Sequence, residues 1–185
     1  METGTKSLLF GVHQFIWHPL TVLIAWIWLY KRFPSWRELV CMFVHDWGYW
    51  GKTNMDDEEG EKHPELGANI VLKLFGDSND CYYYYLCLLH SRHYARKFGS
   101  TPSPLCWADK ASIAFEPRWF YLLRARLSGE LKEYRRMSAA AGFIPLTDSN
   151  REWFFWIKTK QIMMGREKRG DVVPYQNTIR ESTVK

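Results

Sequence analysis

Six residues with metal-binding side chains lie between positions 18 and 109, in the order histidine, histidine-aspartate, histidine, histidine, aspartate. Imidazole and carboxylate together suit Zn²⁺, Mn²⁺, Fe or Co²⁺, whereas Ca²⁺ prefers shells made of oxygen. Six ligands are too many for one catalytic ion with an open position, but they suit two ions that share a carboxylate. The six residues are His18, His45, Asp46, His63, His90 and Asp109.

The adjacent pair His45-Asp46 comes at the end of an apolar run. Neighbouring residues do not share a helix face, so the backbone must turn if both are to reach one site. Gly48 follows the pair and permits a turn. The sequence therefore predicts a helix end that opens onto a site.

The elements that position these residues are predicted to be helices, because no segment shows the alternation of a strand. Ser35 and Glu38 form a capping box, and a proline follows both His18 and His63, where a missing N–H costs nothing at a helix start. The predicted helices cover about 19–32, 35–44, 63–75, 82–93, a stretch from 103 through Asp109, 117–128, 130–141 and 150–164. Residues 1–17 are expected to be an irregular or helical lead-in, 48–62 a loop and 94–102 a basic loop. The fold class is therefore all-α, a bundle of about seven to eight helices.

Composition indicates one folded domain over residues 1–165, with a metal-binding core at about 15–118 and a polar tail at 166–185. The chain has 185 residues, of which 46% are hydrophobic and 17% aromatic, enough for a core. Residues 8–30 lack charged side chains, but the clean apolar run of 20–30 is about half of the ~20 residues that span a bilayer, so no membrane helix is expected. Four cysteines without CxxC spacing favour free thiols in a reducing cytoplasm.

The net charge of +5 favours an anionic ligand such as a nucleotide over a protein that coats nucleic acid. The candidate phosphate-binding cations follow the later metal-binding residues: Arg92, Arg96, Lys97 and Lys110. Any of them could instead be a solvated flank. His93 could protonate a leaving group or merely cap a helix, and both His13 and His93 could be ordinary packing or surface residues. The aromatic run 153–156 could form a lid, a dimer face or part of the core.

In order and context these residues resemble the HD-domain metal-dependent phosphohydrolases, whose pattern is H…HD…H…H…D. The segment 63–68 looks like the family's HPxxGA stretch, and 107–111 looks like its final AD motif. The similarity covers about residues 15–118, and the closest look is to a two-metal branch that includes bacterial HD-type hydrolases of dinucleoside tetraphosphates. Many relatives have a lysine three residues after the HD aspartate, where this chain has Tyr49; its nearest lysine is Lys52.

The resemblance implies a helical HD domain that cleaves a phosphoester or phosphoanhydride bond of a small nucleotide with hydroxide activated by metal. Asp46 would bridge two divalent transition ions (Mn, Fe or Co, with Zn possible). His18, His45 and Asp109 would hold one ion, and His63 and His90 the other. Asp46, His93 and Lys110 are the expected catalytic residues, and Arg92, Arg96, Lys97 and Lys52 the expected substrate-binding residues.

Two alternatives remain open at this point. One is a nuclease or cyclic-nucleotide phosphodiesterase that uses the same metal site, and the other is a non-catalytic module that senses a nucleotide. A polynucleotide partner is less expected than a small nucleotide, and a homo-oligomer fits the sequence as well as a monomer does.

Overall fold

The computed structural model of the protein describes residues 1–76, 81–142 and 149–168. In it, the capping box at Ser35 and the His63-Pro64 pair both mark helix starts. Ser35 accepts a hydrogen bond from the Glu38 N–H, and Glu38 accepts one in return from the Ser35 N–H. Within the described ranges the chain forms ten α-helices, three short 3₁₀ turns and no strand. The helices are α1 (Thr3–Phe10), α2 (Trp17–Tyr30), α3 (Trp36–Val44), α4 (Pro64–Phe75), α5 (Tyr82–Leu88), α6 (Arg92–Lys97), α7 (Pro104–Ser112), α8 (Arg118–Ser128), α9 (Glu130–Ala140) and α10 (Asn150–Lys168). The 3₁₀ turns are Trp47–Tyr49, Gly60–Lys62 and Ile113–Phe115.

The all-α prediction is confirmed, but the count of seven to eight helices is too low. The lead-in contains the full helix α1, and the predicted helix 82–93 is two helices, α5 and α6. The break comes at His90, because Ser91 accepts a hydrogen bond from the His93 N–H and caps a new helix. The predicted basic loop 94–102 therefore begins as helix.

Two helix boundaries also differ from the prediction. Helix α2 starts at Trp17, two residues before Pro19. Pro19 still lies in the first turn, where a backbone N–H has no partner within the helix, so the missing N–H of proline breaks no helical hydrogen bond. Helix α10 runs through Gly165, the expected stop, to Lys168. Of the predicted tail, residues 169–185 lie outside the described part of the chain.

The main hydrophobic core lies among α2, α3, α4, α5 and α7, and its largest fully buried side chain is Trp26. A second apolar cluster joins α8, α9 and α10 through Tyr121, Leu131 and Trp153. The aromatic run 153–156 is divided, since Trp153 and Phe154 are buried and the next two residues are exposed. Helix α7 packs against α2 and α10.

The four cysteines are free, as predicted, and three of them are buried. Among the residues that the structure covers, no helix has both the length and the apolar character needed to cross a bilayer.

Candidate metal centre

The six predicted metal-binding residues converge on one site, although they come from five parts of the fold. His18 lies in the first turn of α2, His45 and Asp46 follow the end of α3, and Asp109 is on α7. His63 immediately precedes α4, and His90 lies in the turn between α5 and α6. The five residues other than Asp109 are buried, and the Asp109 side chain is only 11% exposed.

Backbone carbonyls fix the orientation of three of the histidine rings. The Nδ1 atoms of His45, His63 and His90 lie 2.8, 2.8 and 2.6 Å from the carbonyl oxygens of Met42, Gly60 and Cys87. A carbonyl only accepts, so each Nδ1 carries a hydrogen, and in the neutral tautomer the lone pair of each ring is on Nε2, which faces the centre. This tautomer is the one that histidines use when Nε2 binds a metal.

The Nε2 atoms meet at short range. Nε2 of His63 lies 3.1 Å from Nε2 of His90, and these atoms lie 3.6 and 3.3 Å from Asp46 Oδ1. Burial, followed by the nearby His90, holds the pKa of His63 well below its usual value, so this ring is neutral. If each ring carries its hydrogen on Nδ1 alone, these atoms repel one another unless a proton or a metal cation lies among them.

Asp46 faces both halves of the centre. Its Oδ2 lies 3.3 Å from His18 Nε2 and 3.2 Å from His45 Nε2, while its Oδ1 faces the other two histidines. Two groups of ligand atoms result, each with all members within 4.8 Å of one another: His18, His45, Asp46 and Asp109, and Asp46, His63 and His90. These are the same two sets of residues that the resemblance to HD-domain phosphohydrolases assigns to the two ions, and either set could hold a metal ion.

Opposite charges dominate the half of the centre that contains Asp109. Nε2 of His18 lies 3.1 Å from Asp109 Oδ1, but its contacts with the two carboxylates lack hydrogen-bond geometry. Burial opposes protonation of His18, yet Asp109 and Asp46 outweigh it and raise the pKa of His18 to about 10. Burial likewise opposes ionisation of Asp109, but Lys110 and His18 hold the pKa of this carboxyl well below its usual value. In the protein without a metal, a proton on His18 therefore supplies positive charge that a bound cation would provide.

Glycines allow the helix ends to approach closely enough to build the centre. A Cβ on Gly48 would overlap the carbonyl oxygen of His63, and one on Gly67 would lie 2.6 Å from the carbonyl oxygen of Val44. The chain turns at Gly48 as predicted, in the 3₁₀ turn Trp47–Tyr49, but Gly48 does not have a positive φ, so this turn does not depend on the backbone freedom of glycine. Its missing side chain instead lets the His45-Asp46 segment lie against the start of α4.

Two adjoining cavities open onto the centre. The smaller, which we call the metal-side cavity, has a volume of about 180 Å³ and is lined by Asp46, His63, His90 and Asp109 among others. The larger, the α10 cavity, has a volume of about 410 Å³ and reaches His18 and Asp109. They share a wall that includes Arg92, Lys110 and Tyr49.

Four of the predicted substrate-contacting side chains line these cavities, and two do not. Arg92 and Lys110 line both, whereas His93 and Arg96 line the metal-side cavity. Lys97 lies over the Tyr94 ring and Lys52 pairs with Glu59, and neither lines either cavity. The structure thus brings Arg92, His93, Arg96 and Lys110 to the centre and places Lys52 and Lys97 elsewhere.

His13 is a site residue that the sequence did not single out. It lines both cavities, and its ring lies edge-on to His18 and tilted against Tyr49. Its Nδ1 is 3.2 Å from the buried carboxylate of Glu130, a partner 117 residues away. No local pattern could have indicated this pairing. Lys160 and Gln161 on α10, which line the α10 cavity, were missed for the same reason.

Comparisons of this chain with protein-family models, curated proteins and solved structures find no match. The histidine-aspartate cluster is compatible with an HD domain but does not identify one.

Proposed function

We propose that this protein is a metal-dependent phosphohydrolase that cleaves a phosphoester or phosphoanhydride bond of a small nucleotide, and that it belongs to the HD-domain superfamily. The observation that carries the proposal is the convergence of four buried imidazole Nε2 atoms on the two oxygens of Asp46. The order of the six residues along the chain supports the family assignment.

The donor set supports two divalent transition ions, Mn²⁺, Fe²⁺ or Co²⁺, with Zn²⁺ as a further candidate. Mixed nitrogen and oxygen donors favour these metals over Ca²⁺ and Mg²⁺. Nε2 of His45 and Oδ2 of Asp46 are buried and have no hydrogen-bond partner in the described structure, which fits atoms that bind a metal. One group offers four ligands and the other three, so the second group leaves positions for water or substrate.

The protein's own side chains have complementary tasks in this proposal. Bound metal ions supply a nucleophile from water at neutral pH and neutralise charge on phosphoryl oxygens. Arg92 and Lys110 bind those oxygens from the shared wall of the two cavities, with Arg96 on the metal-side wall. His93 lines the metal-side cavity and delivers a proton to the leaving oxygen. We also place the protein in a reducing compartment such as the cytoplasm, since its thiols are free.

The test pairs metal analysis with a substrate panel. Protein loaded with Mn²⁺ or Co²⁺ is incubated with nucleoside mono-, di- and triphosphates, deoxynucleotides, dinucleoside polyphosphates and cyclic nucleotides, and the products are separated by chromatography. Asp46→Asn removes the shared carboxylate, whereas Glu58→Gln makes the same chemical change at a side chain that is 90% exposed. We expect turnover and bound metal to be lost in the first variant and kept in the second.

Two results would contradict the proposal. If the unaltered protein retains no metal, the centre is not a metal site. If it retains metal and a nucleotide but cleaves nothing in the panel, it is a nucleotide sensor.

The alternative substrate is a phosphodiester in a polynucleotide or cyclic nucleotide. The observation that favours a polynucleotide is a basic surface depression lined by Arg126, Lys132 and Arg135 on α8 and α9. Binding that falls steeply with salt concentration would support it, because contacts with many phosphates release many counterions. A nearly flat salt response would favour the small nucleotide.

A further inference from the structure

The α10 cavity joins the metal centre to the C-terminal helices. His18 and Asp109 form one part of its wall, and the aromatic side chains of Tyr121, Tyr134 and Trp153 form another. Its volume of about 410 Å³ falls within the ~300–1,000 Å³ of small-molecule sites. The helices α8, α9 and α10 therefore contribute to a cavity that reaches the proposed reactive centre.

Three cationic side chains from three helices line this cavity: Arg92 on α6, Lys110 on α7 and Lys160 on α10. Lys160 is close enough to Arg92 that burial and this neighbouring charge together lower the pKa of the lysine. Lys110 Nζ lies 3.3 Å from Asp109 Oδ2. The carboxylates Asp56, Asp109 and Glu116 line the cavity as well, but Asp109 pairs with Lys110 and Glu116 with Arg124. Arg92 and Lys160 repel each other, and an anionic group bound between them would relieve that repulsion.

Gln161 supplies the second feature that points to a ligand. It lines the cavity beside Lys160, and its Oε1 atom is buried without a hydrogen-bond partner among the described residues. A buried acceptor with no partner costs free energy, which a donor on a bound molecule would recover. Aromatic walls with one such acceptor suit a flat ring that carries N–H groups.

We propose that α10 completes a substrate pocket for a nucleoside monophosphate, with the phosphate held by Lys160, Arg92 and Lys110 and the base against Tyr121 and Trp153. Gln161 accepts a hydrogen bond from the base. This inference rests on the proposed function, because it assigns the substrate class of the same centre. In this proposal, α10 contributes contacts with the nucleotide that residues 15–118 do not provide.

Binding to metal-loaded protein tests the pocket without relying on turnover. The probes are non-hydrolysable phosphonate analogues of four nucleoside monophosphates, with methylphosphonate as a probe of the phosphate subsite, measured by isothermal titration calorimetry. Lys160→Gln removes one of the cations, and Lys158→Gln is the matched control, since Lys158 lies on the same helix but does not line the α10 cavity. Ile157→Trp adds bulk on the wall.

We expect at least one nucleoside analogue to bind more tightly than methylphosphonate. Lys160→Gln should weaken both probes by about tenfold, the loss typical of one charge-assisted hydrogen bond. Ile157→Trp should weaken the nucleoside analogue by about tenfold or more and leave methylphosphonate unchanged. Lys158→Gln should bind both as the parent does.

The pocket is overturned if no nucleoside analogue binds better than methylphosphonate, or if Lys160→Gln binds as Lys158→Gln does. Because Lys160 is only half-buried, its substitution tests the proposal even if Ile157→Trp fails to fold. Turnover that depends on Asp46 would survive such a result, so the proposed function would still stand. Conversely, the expected binding pattern without any turnover would support the pocket and refute the hydrolase.

Discussion

Replacing Glu130 with glutamine tests the buried network that holds His13 beside the metal centre. The Glu130 carboxylate is 2% exposed and accepts hydrogen bonds from five donors. The donors are Ser7 Oγ at 2.8 Å, Val12 N at 3.0 Å, His13 Nδ1 at 3.2 Å, Tyr134 Oη at 2.9 Å and Ser128 Oγ. Glutamine replaces one carboxylate oxygen with an NH₂ group, which donates hydrogen bonds. The hydroxyl groups can reorient to accept from this NH₂ group, but the Val12 N–H can only donate, so glutamine satisfies the network only in part.

The expected cost follows from the pKa of the carboxyl. Burial opposes ionisation, but the hydrogen bonds from His13 and Ser128 outweigh it, and the pKa of Glu130 is about 2 instead of 4.5. A depression of that size corresponds to about 3 kcal/mol of folding stability. Because the pKa is lower in the folded state, this contribution is complete above about pH 4.5 and is lost as the pH falls toward 2.

The assay is urea unfolding of metal-free protein, followed by tryptophan fluorescence, at several pH values. The matched control is Glu133→Gln, because both glutamates lie in the first turn of α9 and interact alike with the helix dipole. Glu133 forms an exposed ion pair with Arg136, so its replacement should cost about 0–1 kcal/mol. Equal losses in the two variants near pH 7, or a loss in Glu130→Gln that does not shrink in acid, would refute the reasoning.

Three further substitutions test how the helices are built and joined. Ser35→Ala removes the side-chain cap of α3 and should lower the free energy of unfolding by about 1 kcal/mol in urea titrations. Ser100→Ala, at a half-buried loop residue that caps no helix, is the comparison, and no loss in Ser35→Ala would mean that the cap is unimportant. Gly48→Ala forces a Cβ into the His63 carbonyl and should cost about 1–3 kcal/mol while also reducing bound metal by elemental analysis; normal metal content would show that the segment relaxes freely. Gly165→Val should push α10 away from α7 and weaken nucleotide-analogue binding with metal content unchanged; parental affinity would show that this contact does not position α10.

The parts of the fold that the sequence predicts are those controlled by nearby residues. The Ser35 capping box and the proline after His63 act within one turn, and the helices begin where these signals indicate. The break at His90 was missed because the apolar pattern continues across it and the cap at Ser91 carries no supporting glutamate. The convergence of six ligand side chains could be expected only because their types and order resemble a known family pattern.

Side chains whose roles depend on distant packing could not be predicted. His13 pairs with Glu130 across 117 positions, and no periodicity in either segment indicates the other. Lys52 and Lys97 are close in sequence to ligand residues, yet local partners hold them away from the cavities. Lys160 is 51 positions beyond Asp109 but lines the same cavity as that ligand residue.

The position of α7 connects the metal centre with the proposed substrate pocket. This helix carries Asp109 and Lys110, and it packs against α2, which brings His18, and against α10, which brings Lys160. The contact with α10 is close because Gly165 has no side chain: a Cβ there would lie 3.3 Å from the Ala111 Cβ. The six candidate metal ligands, however, all lie between residues 18 and 109, in elements that do not include α10. Movement of α10 should therefore change the binding of the organic part of a substrate while the ligand set stays intact, so that affinity for nucleotides and affinity for metal can be altered separately.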